Sequence, residues 1–212
     1  MSHFDPDCRQ CPRLDKFLKA VRKDYPDYHA KPVAPFGDLH PKLLIVGLAP
    51  GMHGANATGR PFTGDYAGIL LYETLYKFGF ASKPVSEHKN DGLRLIKCRI
   101  TNAVKCLPPE NKPTGDEINT CNHYLAAELS ALGTGTVILA LGTIAHKATL
   151  MALGLKQKSY PFGHGHLHEL TDGRWLLDSY HCSRYNTQTR RLTKKMFHEI
   201  FNKVVELLEI SN

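Results

Sequence analysis

The sequence of 212 residues lacks any apolar run near the roughly 20 residues that a membrane-spanning helix needs, so we expect no membrane partner. Its N-terminal segment, MSHFDPDCRQCPRLD, lacks the apolar core of a signal peptide, which favours a cytoplasmic protein. No repeat or low-complexity tract is present either. We therefore expect one domain over residues 1–212, working as a monomer.

The common phosphate-binding motifs are also missing. The segment GLAPGMHGANATGRPFTGD, residues 47–65, contains five glycines between a predicted strand and a predicted helix. It contains no lysine and fits neither the G-x-x-x-x-G-K-[ST] nor the G-x-G-x-x-G spacing. A glycine-rich turn at this place indicates close approach of the backbone to another group. A loop with a purely structural role is the alternative interpretation.

The six cysteines do not indicate a disulfide framework, because no secretory signal accompanies them. Four of them are candidate metal ligands, two near the N-terminus and two around a later loop: Cys8, Cys11, Cys106 and Cys121. Four thiolates suit either zinc or an iron–sulfur cluster, and the spacing alone slightly favours zinc.

Strand and helix patterns alternate along the chain, which predicts an α/β fold with a mainly parallel sheet. Strands are expected at 43–48, 98–104 and 175–180, with a further apolar strand, TVILALG, between the last two. A helix is expected at 66–78 and a long amphipathic helix from Thr189 to Leu208. Polar clusters follow three of the strands, and ligands of such folds bind beyond the carboxyl ends of the strands.

Three segments at those strand ends resemble the motifs of the uracil-DNA glycosylase superfamily. They are GLAPGMHGANATGRPFTGD (47–65), TNAVKCLPPENKP (101–113) and HCSRYNTQTRRLT (181–193). The form is similar to family 5, the type B iron–sulfur enzymes, and the resemblance spans about residues 8–193. It implies a three-layer α/β/α sandwich around a central four-stranded, mainly parallel sheet.

The same resemblance implies a function. The protein would be a monofunctional glycosylase that hydrolyses the bond between uracil and deoxyribose in DNA, the first step of base excision repair. Leu48 and Ala49 stand where other branches place a polar residue, so we expect other deaminated or damaged bases to be accepted too. The resemblance also assigns the four cysteines to a [4Fe–4S] cluster, with a structural rather than a redox role.

Three side chains are candidates for contact with the base. His181 is placed to donate to the base O2 as negative charge develops there, although most histidines have no such role. Asn102 offers the donor and acceptor that pair with uracil, and a turn or cap is its alternative role. Phe62 is expected to stack on the base, while phenylalanine is more often simply part of a core.

Asp65 is the remaining catalytic candidate. Its carboxylate would orient the attacking water or offset the positive charge on the sugar. The alternative is an N-cap of the helix that follows, a position that Asp often occupies. Gly51 and the other loop glycines would let the backbone approach the base.

The formal charge of +7 suits a polyanionic partner. We expect double- or single-stranded DNA, with the protein located at the nucleoid. Arg184 and Tyr185 would enter the gap left by a base rotated out of the duplex. Arg190 and Arg191, with Lys194 and Lys195, would bind phosphates, unless these residues form only a solvated helix face.

Two other functional classes remain open from the sequence. A DNA-binding protein with an iron–sulfur or zinc site and no activity is one, because the first motif lacks a polar residue before Pro50. A redox sensor built on the four cysteines is the other.

Overall fold

The fold of residues 4–210 is given by a computed structural model. A six-stranded sheet has the spatial order β1-β3-β2-β4-β6-β5. In chain order its strands are β1 Phe36–Gly37, β2 Leu43–Gly47, β3 Cys98–Asn102, β4 Val137–Leu141, β5 Leu167–Glu169 and β6 Trp175–Ser179.

The four inner strands are parallel, and the two short edge strands are antiparallel to their neighbours. The predicted four-stranded parallel centre is thus confirmed, with an added edge strand on each side. A hairpin that turns at Asp172–Gly173 joins β5 to β6, and Gly173 has the positive φ of 77° that this turn requires. The sequence analysis did not predict the edge strand β1.

Helices cover both faces of the sheet. They are α1 Pro12–Asp24, α2 Ala55–Thr58, α3 Tyr66–Lys77, α4 Gly115–Ser130, α5 Thr143–Ala152, α6 Arg184–Gln188 and α7 Lys194–Ile210. Short 3₁₀ turns lie at Pro109–Asn111 and Gln157–Ser159.

Alternation along the strands divides the core into two layers. Leu43 and Ile45 of β2 pack in the group that holds α3 and α7, whereas Leu44 and Val46 pack against α4 and α5. Successive strand residues point to opposite faces, so a run of apolar residues is what a sheet covered on both sides requires. The predicted α/β/α sandwich is confirmed.

The start of the last helix differs from the prediction. A helix from Thr189 was expected, but α6 ends at Gln188 and α7 begins only at Lys194. Arg190 has a φ of +58°, and the Leu192 amide donates back to the Asn186 carbonyl at 3.0 Å. A left-handed residue stops a right-handed helix, so Arg190 and Arg191 lie in a turn rather than on a helix face.

No helix among the described residues combines the length and the apolar character needed to cross a membrane.

Candidate active site

A cavity of about 350 Å³ opens at the carboxyl ends of β2 and β3, beside the loop that follows β6. Every residue predicted to contact the base or the water lines it: Gly51, Phe62, Asp65, Asn102 and His181. Three segments far apart in sequence therefore supply one site, as the rule for open α/β sheets predicts.

Phe62 forms one wall and is 6% exposed. Its backbone is left-handed, with φ +54°, an uncommon conformation for a bulky residue. Its ring lies 5.7 Å from that of His181 at an interplanar angle of 26°. A Cβ atom at Gly47 would lie 2.7 Å from the Phe62 ring, and one at Gly68 would lie 1.8 Å from the Phe62 carbonyl oxygen. The glycines thus make room for the site's own side chains.

A buried ion pair holds the loop that carries Phe62. Arg60, which is 4% exposed, contacts the Asp91 carboxylate at 2.9 Å and donates to the Lys89 carbonyl at 2.6 Å. Burial alone would raise the pKa of Asp91, but amide hydrogen bonds from Leu93 and Glu87 and the Arg60 guanidinium lower it to about 2. The sequence analysis missed this pair, because nothing local links residues 31 positions apart.

Asn102 is the last residue of β3 and is 3% exposed. Its side-chain amide makes no hydrogen bond within residues 4–210. A Cβ atom at Gly47 would lie 2.4 Å from Asn102 Oδ1, so this glycine also makes room for the amide. A buried amide without a protein partner is free to pair with a ligand that enters the cavity.

His181 lies two residues beyond the end of β6. Burial lowers its pKa to about 4, so the imidazole is neutral near pH 7. Its Nδ1 is buried and has no hydrogen-bonding partner in the described part of the chain. The Asn186 side chain donates to the His181 carbonyl at 2.8 Å and positions the residue, a contact that sequence reasoning missed.

Asp65 divides its two oxygens between two contacts. Oδ1 accepts from the Gly68 amide at 2.9 Å and caps α3, which confirms the capping interpretation. Oδ2 lies beside Gly51 and Gly54, where a Cβ atom at Gly54 would lie 2.6 Å from it. Burial raises the pKa of Asp65, and the amides of Gly68 and Ala67 partly offset this. One oxygen remains for chemistry in the cavity.

Two polar residues of the cavity wall were not predicted, Asn111 and Ser183. Asn111 ends the 3₁₀ turn and has φ +57°, next to Glu110 at φ +53°. Asparagine tolerates this conformation better than most residues, which is the only sequence signal available. Ser183 is the N-cap of α6 and accepts from the Asn186 amide at 3.4 Å.

The predicted DNA-binding residues follow Ser183 along the surface. Tyr185 is 71% exposed, and the Arg184 guanidinium lies 5.8 Å from the centre of the Tyr66 ring. Arg191 lies 4.6 Å from the Tyr180 ring, and Arg190 is exposed. Lys194 instead forms an ion pair with Glu73, which leaves it less free for a phosphate. Arg184 and Tyr185 thus directly follow Ser183 of the cavity wall, and Arg190 and Arg191 lie in the turn beyond α6.

The four predicted metal ligands come together around a second, small pocket of about 20 Å³, lined by Cys8, Cys11, Cys106 and Cys121. Burial and the neighbouring Cys121 raise the pKa of Cys11 to about 11, and burial also raises those of Cys106 and Cys121. The Lys105 amide donates to Cys121 Sγ at 3.3 Å. The two remaining cysteines, Cys98 and Cys182, are buried apolar residues.

Comparison with known proteins agrees with this geometry. The family model described as "Uracil DNA glycosylase superfamily" matches residues 34–205. The "Type-5 uracil-DNA glycosylase" of Thermus thermophilus is 47% identical over 94% of this chain and 93% of its own length. The proteins of the same description from Mycobacterium bovis and Pyrobaculum aerophilum are 43% and 38% identical, over 96% and 92% of this chain and 79% and 87% of their own lengths.

The family model covers all three motifs and the residues that line the cavity, which confirms the resemblance. The chain belongs to the uracil DNA glycosylase superfamily, in its type-5 branch.

Proposed function

We propose that the protein is a monofunctional uracil-DNA glycosylase that hydrolyses the bond between uracil and deoxyribose and so begins base excision repair. The observation that carries the proposal is the meeting of His181, Asn102, Phe62 and Asp65 in one cavity. Within the described residues, His181 Nδ1 and the Asn102 side-chain amide there have no hydrogen-bonding partner. The descriptions of the relatives name the same activity.

The reaction breaks the bond between C1′ and the base, and the electron pair leaves with the base. Negative charge develops on uracil, and the sugar becomes cationic. The neutral imidazole of His181 donates its N–H to the base O2, where that charge appears. A preorganised donor of this kind acts most strongly in a site that excludes water. Because the neutral imidazole is a very weak acid at pH 7, its N–H stabilises the anion by hydrogen bonding rather than by proton transfer.

Water then bonds to C1′ and loses a proton. Asp65 Oδ2, beside Gly51 and Gly54, is the carboxylate oxygen that is not used by the helix cap. It holds the water, accepts the proton and offsets the positive charge of the sugar. Its raised pKa makes it a better proton acceptor than an ordinary carboxylate.

Base selection rests on Asn102, and stacking rests on Phe62. The amide of Asn102 pairs with the O4 and N3–H of uracil, a pattern that cytosine inverts. Leu48 and Ala49 line the same cavity and offer no polar side chain. We infer that other deaminated or damaged bases enter too.

DNA is held across the mouth of the cavity. The target nucleotide leaves the base stack, in double- or single-stranded DNA, at a cost of a few kcal/mol for a paired base. Exposed Tyr185, with Arg184 beside it, fills the gap, while Arg190 and Arg191 contact phosphates. We infer that the protein acts as a monomer in the cytoplasm, at the nucleoid.

We infer that Cys8, Cys11, Cys106 and Cys121 hold a [4Fe–4S] cluster. In a tetrahedral zinc site, Zn–S bonds of about 2.3 Å place the sulfurs roughly 3.8 Å apart. Within the described residues, no three of these sulfurs lie within 4.8 Å of one another. A cluster in which each cysteine binds a different iron keeps its ligands farther apart, and so fits better than zinc.

The cluster would crosslink the segment before α1, the end of β3 and α4, and supply stability rather than chemistry. Binding would displace the protons that the raised thiol pKa values retain. Brown protein with broad visible absorption after anaerobic purification supports the assignment. Colourless protein with stoichiometric zinc in the cysteine pocket contradicts it.

The central test of the function is His181→Ala under single-turnover conditions, where slow product release does not mask the chemistry. We expect uracil excision to slow by about 10²–10³-fold, as on loss of an oxyanion-hole donor. His198→Ala is the matched control, since His198 is also half-buried with a pKa lowered by burial but lies on α7 outside the cavity. Equal rates for His181→Ala and the parent would overturn the assignment.

A further inference from the structure

A second cluster of potential metal ligands lies on the α5 side of the sheet, outside both pockets described above. It consists of His146 on α5, His168 on β5 and Asp178 on β6. One donor atom from each lies within 4.8 Å of the other two. All three are at most 13% exposed, and Asp178 is fully buried.

The register of the hairpin brings His168 and Asp178 together. His168 is paired with Leu176, and Asp178 follows two residues later on the same face of β6. Leu176 packs in the core group with Ala145 and Ala148 of α5, so this face meets the helix that carries His146. Three separate elements therefore supply the cluster.

The hydrogen bond on the far side of His146 fixes which nitrogen carries the proton. Its Nε2 lies 2.8 Å from the Tyr160 carbonyl oxygen, which can only accept, so Nε2 is protonated. In the neutral ring, Nδ1 then presents a lone pair to Asp178 Oδ1 at 2.7 Å. At this distance the two atoms share a proton when no metal is bound, and a metal ion that binds both takes the place of that proton.

The surroundings of His168 favour the metal ion over the proton. Its Nε2 is buried, lies 3.7 Å from Asp178 Oδ2 and has no hydrogen-bonding partner within residues 4–210. In the described part of the chain, the one hydrogen bond to Asp178 Oδ2 is a long contact from the Gly163 amide, at 3.4 Å. A proton between His146 and Asp178 leaves His168 unpartnered, whereas a metal ion gives all three donors a partner.

We propose that His146, His168 and Asp178 bind one divalent transition-metal ion of the zinc class. Two imidazoles and a carboxylate are a typical ligand set for such ions. A ligating histidine usually donates its other ring N–H to a carbonyl or carboxylate, as His146 does to Tyr160. The ion joins α5, β5 and β6 just upstream of His181, and it stabilises the strand end that carries this residue.

The test uses cluster-loaded full-length protein and Zn²⁺ itself, with bound metal counted after equilibrium dialysis. We expect one zinc per chain in addition to the iron. His168→Ala weakens this binding by more than about tenfold, since losing even a group that only orients a ligand costs roughly 10–100-fold. His166→Ala, two residues away with its Nδ1 at 3.2 Å from the Pro161 carbonyl, is the matched control and binds as the parent does.

Two further readouts separate this site from the cysteines and from a folding defect. Co²⁺ bound at the proposed site gives visible bands without thiolate charge-transfer absorption. Zn²⁺ raises the melting temperature of the parent and not that of His168→Ala or His168→Gln, whose metal-free melting curves report whether they fold. Absence of the extra zinc, unchanged affinity in both His168 variants, or a thiolate spectrum for the added cobalt would each overturn the proposal.

Discussion

The reaction cavity and the cysteine pocket meet at Ala49, which lines the first and packs against the apolar group that contains Cys121. The cavity measures about 350 Å³ and the pocket about 20 Å³. The cavity presents an amide and an imidazole nitrogen that have no partner among residues 4–210, whereas the pocket presents four sulfurs. A ligand that enters and leaves needs open space and free polar groups, while a resident group needs neither once it is bound.

The two regions are also stabilised differently. Around the cavity, glycines at 47, 54 and 68 let side chains lie against backbone, and the strained Phe62 is held by the Arg60–Asp91 pair. Around the pocket, segments distant in sequence converge on the sulfurs, beside a small apolar group formed by Leu14, Val104 and Tyr124. We infer that substitutions near the cavity mainly change rate or selectivity, and that those at the pocket mainly change stability.

The largest effect that we expect is the loss of stability in Asp91→Ala, which is an exception to this division because it acts near the cavity. The substitution removes the partner of the buried Arg60 guanidinium. Breaking a buried pair from one side costs about 3–5 kcal/mol, so the free energy of unfolding in urea should fall by that amount. The rate of uracil excision should fall as well, because the loop that carries Phe62 is no longer held by the ion pair.

Glu73→Ala is the control for that experiment. It breaks the Lys194–Glu73 pair, whose side chains are 54% and 46% exposed, and a surface pair contributes at most about 1 kcal/mol. If Asp91→Ala cost no more than Glu73→Ala, the anchoring role of the buried pair would be wrong.

Asp65→Asn should have a smaller effect, on the rate alone. It keeps the shape and the helix cap but removes the charge, so we expect single-turnover excision to slow by roughly 10²-fold, the low end for general acid–base groups. The pH profile is the second readout.

Excision needs the ionised carboxylate of Asp65, so the rate falls as pH drops through its pKa. Burial raises that pKa above the usual 3.8, so this acid limb lies at higher pH than for an ordinary carboxyl group. Protonation of His181 changes the rate only near pH 4, where the pKa of His181 lies. The limb should be missing from Asp65→Asn, and its persistence there would assign it to another group.

Asn102→Asp should have the smallest effect, on selectivity. An ionised carboxylate offers only acceptors, so the ratio of the rates on uracil and cytosine should shift by about fivefold, the equivalent of one hydrogen bond of roughly 1 kcal/mol. Asn119→Asp on α4 adds the same charge outside the cavity and should leave the ratio unchanged. An unchanged ratio in Asn102→Asp would mean that another residue selects the base.

The features of the fold and the site that the sequence predicts depend on local patterns. Apolar runs gave the parallel strands, and polar residues after three of those strands located Phe62, Asn102 and His181 at one edge. Contacts without a local signature were missed, such as Arg60 with Asp91 and the Asn186 contact to the His181 carbonyl. The helix expected from Thr189 was wrong because the positive φ of Arg190 depends on tertiary packing rather than on propensity.

The most direct test of the central claim is the product analysis of the parent protein on a duplex with one uracil. We predict one free uracil for each abasic site, with the DNA strand intact until alkali cleaves it. Tight binding of the duplex without any release of uracil would contradict the account and leave a DNA-binding protein without catalysis.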